Sequence, residues 1–187
     1  MTRAANTATG DATGSGNAGA ARSAGPMTDP LAIYLNDHLL GATSGSELAR
    51  RVAKRHAMSP AGATLLRVAD EIAQDRAALL RIMHGFGLPV RRYRTAAGWL
   101  LEKAGRAKTN GFLVRRSPLS SVLELEALRL GVEGKRLMWQ ALHALEGPRS
   151  AVLDEEQLTG LLRRAREQSA TLEELQLKAA TGVLDGG

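Results

Sequence analysis

The stretch GLPVRRYRTAAGWLLEKAGRAKTNGFLVRRS, residues 87–117, is the long connection that decides the predicted fold of this 187-residue chain. Two helix-length segments with helical spacing of apolar residues lie on each side of it, roughly 30–56 and 61–86 before it and roughly 118–146 and 154–181 after it. The joins within each pair are short, around Ser59-Pro60 and Gly147-Pro148. A short join makes neighbouring helices antiparallel, whereas a connection that runs the length of a bundle lets the next helix start from the far end. The sequence therefore predicts an all-α fold, a four-helix bundle with one long crossover between helices 2 and 3.

The composition predicts one helical domain behind a disordered tail. Residues 1–26 consist largely of Ala, Gly, Thr, Ser and Asn, so they cannot offset the entropy lost on ordering. We expect a tail over residues 1–28 and a bundle domain over residues 29–187, with Thr28 or Asp29 as the first helix cap and Pro30 in the first turn. Met27 is an alternative start of translation. The chain has no Cys, which excludes disulfides, thiolate metal sites and Cys nucleophiles.

The net charge of +6 is concentrated in the long connection. Residues 91–116 hold eight Lys and Arg side chains against Glu102 alone, a charge of +7, so the rest of the chain is close to neutral. Such a patch can attract phosphates or an anionic membrane surface. A solvated basic loop explains the same pattern, and we favour that interpretation.

The first two segments each have one apolar side that is interrupted by a polar residue. These sides are Leu31, Leu35, Ala42, Gly45, Ala49 and Val52 in the first, and Leu65, Val68, Ile72, Leu79, Met83 and Phe86 in the second. The interruptions are His38 and Asp75. Because an unsatisfied buried polar group costs about 1–3 kcal/mol, we expect these two side chains to form a hydrogen bond across the core. The four-residue spacing of Gly41, Gly45 and Ala49 predicts close approach of a neighbouring backbone.

The third segment is apolar on two sides. We expect one side to face the core, namely Leu119, Leu123, Leu130, Leu137, Ala141 and Ala144. The other side carries Leu125, Leu128, Val132 and Trp139. A helix with two apolar sides must be covered twice, because a bare apolar face is adhesive. We expect residues 95–114 of the crossover to cover Trp139 within one chain, with a homodimer interface as the alternative.

The fourth segment opens with Asp154-Glu155-Glu156-Gln157, which has the spacing of a capping box. Its apolar side is Leu158, Leu161, Ala165, Leu172, Leu175 and Ala179, flanked by Gln168 and Ser169.

The layout resembles the ferritin-like four-helix bundle superfamily across roughly residues 30–181, through connectivity and helix lengths, and in particular a bacterial branch without the di-metal ligand set. Metal-binding members of that superfamily use a carboxylate from each of two helices and a Glu-x-x-His pair from each of the other two. Here Glu47 lies on the outer side of the first helix, and Gln74 stands three residues after Glu71 where His is required. The fourth helix has no Glu-x-x-His. We therefore predict no catalytic, cofactor-binding or metal-ligating residue.

A degenerate di-metal site is the alternative from the enzyme class, and it would use Glu71, Asp75, Glu126 and Glu133. Glu126 and Glu133 lie on one side of the third helix together with Arg129 and Arg136. Neighbours three or four residues apart form ion pairs on a helix surface, so we favour an ion-pair ladder for these four residues.

The leading hypothesis is a non-catalytic helical protein that acts through self-association as a homodimer or through an unknown protein partner. Binding of nucleic acid or anionic lipid through the basic crossover is a further alternative that we do not favour. A cytoplasmic location is expected, because no apolar run approaches the roughly 18–20 residues of a membrane span and the N-terminus lacks the apolar core of a signal peptide.

Overall fold

The computed structural model of the protein describes residues 29–90 and 119–185. These ranges contain four α-helices, α1 (Pro30–Arg55), α2 (Gly62–Gly85), α3 (Leu119–His143) and α4 (Glu155–Leu184), and a short 3-10 helix (Gly147–Val152) between α3 and α4. The predicted all-α class is confirmed for this part of the chain, which has no strand. None of the described helices combines the length and apolar character that crossing a membrane requires.

Two of the predicted helix starts are confirmed by side-chain caps. The carboxylate of Asp29 accepts a hydrogen bond from the backbone N–H of Leu31. The carboxylate of Asp154 accepts one from the N–H of Gln157. Each cap satisfies a backbone donor that has no partner within the helix. Gly87, just after α2, has a φ of +65°, a conformation that glycine adopts without steric cost and that ends the helix.

Contacts at the helix ends show how the chain runs. α1 packs against α2 and α3, and α3 packs against α4. Asn36, near the start of α1, donates a hydrogen bond to the carbonyl of Pro89, which follows α2. Arg55, the last residue of α1, forms an ion pair with Glu124 in the second turn of α3. The chain therefore leaves α2 beside the start of α1 and enters α3 beside the end of α1.

The core is built from one side of each α-helix. The predicted apolar sides of α1, α2 and α4 face it, and its largest fully buried hydrophobic side chains are Leu35, Val52, Val68, Leu79, Met83, Met138, Trp139, Leu142, Leu158 and Leu172. Five predicted core residues are only partly buried at its edge, namely Ala42, Gly45, Phe86, Leu175 and Ala179.

The prediction for α3 was wrong about which side faces the core. The side with Leu125, Leu128, Val132 and Trp139 is buried, and Trp139 is fully enclosed. The side expected to be core is exposed: Leu119 by 40%, Leu123 by 55%, Leu130 by 73% and Leu137 by 51%, with Ala141 and Ala144. The buried side also includes Val122, Met138 and Leu142, so it is wide enough to pack against both α1 and α4. The predicted contact between Trp139 and residues 95–114 lies outside the described residues.

The glycines of α1 do not have the predicted role. Nothing in the described residues lies within 4 Å of a Cβ built on Gly41 or Gly45, so no neighbouring backbone approaches them closely. A Cβ built on Gly131 or Gly134 of α3 likewise has no atom of the described residues within 4 Å. These glycines border a cavity between the helices instead.

Candidate functional site

A buried polar cluster links α2, α3 and α4. Asp75 of α2 has no exposed side-chain surface, and its Oδ2 accepts a hydrogen bond from Lys135 Nζ of α3 at 2.5 Å. Lys135 also donates to Oε1 of Gln168 on α4 at 2.6 Å. Arg164 of α4 forms an ion pair with Oδ1 of Asp75, without the alignment of a hydrogen bond. The Nε2 amide of Gln168 lies 3.1 Å from Glu71 Oε2 and 3.3 Å from Asp75 Oδ2.

The charges in this cluster compensate one another. Burial lowers the pKa of Lys135, because the ammonium loses hydration, and the nearby Asp75 carboxylate opposes that shift. Two cations, Lys135 and Arg164, surround the fully buried carboxylate of Asp75. A buried ion pair of this kind contributes little net stability compared with apolar residues, but losing one partner leaves an uncompensated charge.

The predicted hydrogen bond between His38 and Asp75 was wrong. The carboxylate of Asp75 instead accepts hydrogen bonds from Lys135 and Gln168 and forms an ion pair with Arg164. The prediction compared only the first two helices, whereas the partners of Asp75 come from α3 and α4. Lys135 lies on the α3 side that was expected to face away from the core, so no single-helix pattern could identify it.

His38 packs against a ring of its own helix. The ring centres of His38 and Tyr34 lie 4.6 Å apart in an edge-to-face arrangement. Burial lowers the pKa of His38, and the charge of neighbouring Asp37 acts in the opposite direction. The imidazole therefore favours its neutral form near pH 7.

The four carboxylates of the di-metal alternative are not brought together. Glu71 and Asp75 share the Gln168 amide, whereas Glu126 accepts a hydrogen bond from Gln176 on α4 at 3.1 Å. Glu133 pairs with Arg136, which lowers the pKa of Glu133. Within residues 29–90 and 119–185, no group of three or more His, Asp or Glu side chains is placed to hold a metal ion.

The expected ion-pair ladder on α3 is present only in part. Glu133 and Arg136 form the predicted pair, with N···O distances down to 2.5 Å. Arg129 instead reaches across to Glu173 of α4, at 2.9 Å. Together with the contact between Glu126 and Gln176, this pair ties α3 to α4.

A cavity of about 210 Å³ lies between α1, α2 and α3, next to the polar cluster. Its apolar wall includes Ile72, Leu79, Leu128, Val132 and Met138, and its polar lining includes Asp37, His38, Asp75, Arg76, Lys135 and Trp139. The indole Nε1–H of Trp139 is buried and has no hydrogen-bond partner in the described residues. Native proteins rarely leave a buried donor unpaired, because doing so costs free energy. The only signal in the sequence was the spacing of Gly41 and Gly45, which was interpreted as close helix packing; both glycines line this cavity instead.

The exposed apolar side of α3 is the second candidate for function, and we call it the leucine stripe. Leu123, Leu130 and Leu137 recur every seven residues, and a small residue follows each by four positions. The small residues are Ala127, Gly134 and Ala141. Spacings of four and three residues in alternation are those of a coiled-coil seam.

Comparison with models of protein families, with curated proteins and with solved structures gives no match for this chain. The basic crossover, on which the anion-binding alternative rests, and the N-terminal tail lie outside the described residues.

Proposed function

We propose that the protein is a non-catalytic, ferritin-like four-helix bundle that self-associates through the leucine stripe of α3. The bundle topology is supported by the helix-end contacts, which place the end of α2 beside the start of α1 and the start of α3 beside the end of α1. The self-association rests on one observation, a row of exposed leucines with coiled-coil spacing on a helix whose opposite side is already packed. Exposed apolar faces of this length mark interaction sites.

A second copy of α3 in antiparallel orientation fits the stripe by shape. Antiparallel pairing of one coiled-coil seam with itself places each leucine opposite a small residue of the other copy. In a single register, Leu130 faces Gly134 of the second copy, and Leu123 and Leu137 face Ala141 and Ala127. Large residues thus interdigitate with small ones along the whole seam, which lets the two helices approach closely.

The charged side chains beside the stripe are compatible with the antiparallel pairing of two α3 helices. In the same register the Glu133 side chains of the two copies lie near each other at the centre of symmetry. Each Glu133 is already paired with Arg136 of its own helix, so the two copies meet as neutral ion pairs rather than as bare carboxylates. On the other edge of the seam, Gly131 of one copy lies next to Gly131 of the other copy, so no charge is brought together there.

The expected affinity is modest. Leu119–His143 spans about 37 Å at a rise of about 1.5 Å per residue, and one helix face about 10 Å wide buries roughly 400 Å² per copy. A standard stable interface buries about 800 Å² per partner. The dimer should therefore form in the micromolar range or above, and its population should depend on protein concentration.

Sedimentation of the full chain across a micromolar to sub-millimolar concentration series tests the proposal. We expect a monomer–dimer equilibrium in the unmodified protein and a monomer at every concentration for Leu130→Lys. Lys at this position keeps helix propensity and lies near Glu126 and Glu133, so helicity by circular dichroism should be unchanged. The matched control is Leu177→Lys on α4, a residue exposed by 56% outside the stripe, which should leave dimerisation intact.

Two results would reject the proposal. The first is a monomeric unmodified protein at all concentrations. The second is equal dimerisation of Leu130→Lys and Leu177→Lys. If residues of the crossover cover the stripe within one chain, Leu130→Lys should instead lower the free energy of unfolding of a monomer by about 2 kcal/mol.

A further inference from the structure

The cavity between α1, α2 and α3 presents hydrogen-bond donors to an apolar space. Trp139 is fully buried, and its Nε1–H has no partner in the described residues. Lys135 uses two ammonium protons on Asp75 and Gln168, which leaves a third. Arg76 also lines the cavity, donates its Nε–H to Thr43 at 2.9 Å and adds a second cation there.

The acceptors around the cavity are largely occupied. The buried carboxylate, Asp75, is held between Lys135 and Arg164. Asp37 is exposed to solvent. The Oδ1 atom of Asp75 has no aligned hydrogen-bond donor, but it is engaged in the ion pair with Arg164. The free donors therefore favour a ligand that brings acceptor atoms of its own, and an anionic acceptor gains most from the Lys135 and Arg76 cations.

The walls and the volume of the cavity limit the size of the remaining, apolar part of the ligand. Four glycines, Gly41 and Gly45 of α1 and Gly131 and Gly134 of α3, line the cavity and leave its space unfilled. Glycines inside helices cost about 1 kcal/mol each relative to alanine, so a bound molecule is a physical reason to keep them. An apolar cavity of about 150 Å³ accommodates benzene. The volume of about 210 Å³ therefore suits a body of that size with one additional polar group.

We infer that this cavity is a binding site for a small monocarboxylic acid with a compact apolar body, whose carboxylate accepts hydrogen bonds from Trp139 and Lys135. The apolar part packs against Leu128, Val132 and Met138. The inference rests on different observations from the self-association proposed above, because the groups that contact the ligand lie on the buried side of α3, although Ala127 and Gly134 of the leucine stripe also line the cavity.

Titration with benzoate, followed by NMR on the indole N–H of Trp139, tests the inference. The chain has two tryptophans, so the full-length Trp99→Phe variant leaves one indole signal. We expect benzoate to move that signal downfield to saturation, as the N–H gains an acceptor. Benzamide should bind about tenfold more weakly and toluene more weakly still, because hydrogen bonds to a charged group are the stronger ones. Hexanoate in a parallel titration distinguishes an aromatic from an aliphatic acid site.

Two glycine variants provide the matched control. Gly45→Leu should fill the cavity and abolish the benzoate response. Gly160→Leu on α4 also replaces a helix glycine with open space around it, but Gly160 does not line the cavity, so the response should persist. Both variants should fold at least as stably as the parent, because each removes a glycine from a helix interior. Trp139→Phe keeps most of the ring volume and should weaken benzoate binding, measured by calorimetry, by about tenfold.

Three results would overturn the inference: no indole shift with either acid, equal binding of toluene and benzoate, or an undiminished response in Gly45→Leu. Equal binding of toluene would show an apolar cavity without acid recognition.

Discussion

The two apolar sides of α3 both carry leucines at helical spacing, and they have opposite environments. Leu128 is 3% exposed and Leu130, two positions later, is 73% exposed. The buried side carries the more varied set, including Trp139 and the charged Lys135, whereas the leucine stripe is purely aliphatic. Hydrophobicity alone therefore does not identify the core side of a helix that is apolar on two sides. The side that is wide enough for two neighbouring helices, α1 and α4, is the buried one.

The largest expected loss of stability comes from disrupting the polar cluster on the buried side of α3. Asp75→Asn removes the carboxylate that compensates Lys135, and we expect it to lower the free energy of unfolding by about 3–5 kcal/mol. The double variant Asp75→Asn/Lys135→Met should recover part of that loss, since the buried ammonium is removed while Arg164 still lacks its carboxylate partner. Urea denaturation of both variants measures the difference. A loss below about 1 kcal/mol in the single variant would mean that the cluster is solvated rather than buried.

A matched pair of substitutions compares the two sides of α3 directly. Leu128→Ala should lower the free energy of unfolding by about 3 kcal/mol, because it removes buried methyl groups and leaves a cavity. Leu130→Ala should change it by no more than about 0.5 kcal/mol at concentrations where the protein is monomeric. Denaturation in dilute solution provides the measurement. Equal losses in the two variants would show that both sides are covered within one chain.

The smallest expected effect is the pH dependence of stability that arises from His38, on the α1 wall of the cavity. The pKa of His38 is lowered from its ordinary value of 6.5, so the unfolded chain binds more protons than the folded protein between the two pKa values. The contribution of His38 to stability is complete above pH 6.5 and is lost as the pH falls through the folded pKa. The groups facing it are Asp37 on the same helix and Asp75, Arg76 and Lys135 across the cavity.

Unfolding free energies from pH 8 to pH 5 measure this dependence. His38→Gln should flatten part of the pH profile. A profile identical in the variant and the unmodified protein would contradict a buried, neutral His38.

Much of the fold was predictable because it depends on local signals. Caps such as Asp29 and Asp154 act within one turn, and the apolar sides of α1, α2 and α4 follow from helical spacing. The candidate sites were not predictable in this way. The hydrogen-bond partners of Asp75 lie 60 and 93 residues away along the chain, on α3 and α4, and the cavity is lined by residues of three different helices.

The sequence by itself determined that the described chain is helical, where its helices begin and end, and which sides of three helices are buried. These properties depend on residues within a few turns of one another. Tertiary structure alone decided the buried side of α3, the ion pair of Lys135 with Asp75 and the position of the Trp139 indole, which has no hydrogen-bond partner among the described residues. Each of these depends on which other helices lie alongside α3, and periodicity within one helix carries no information about its neighbours.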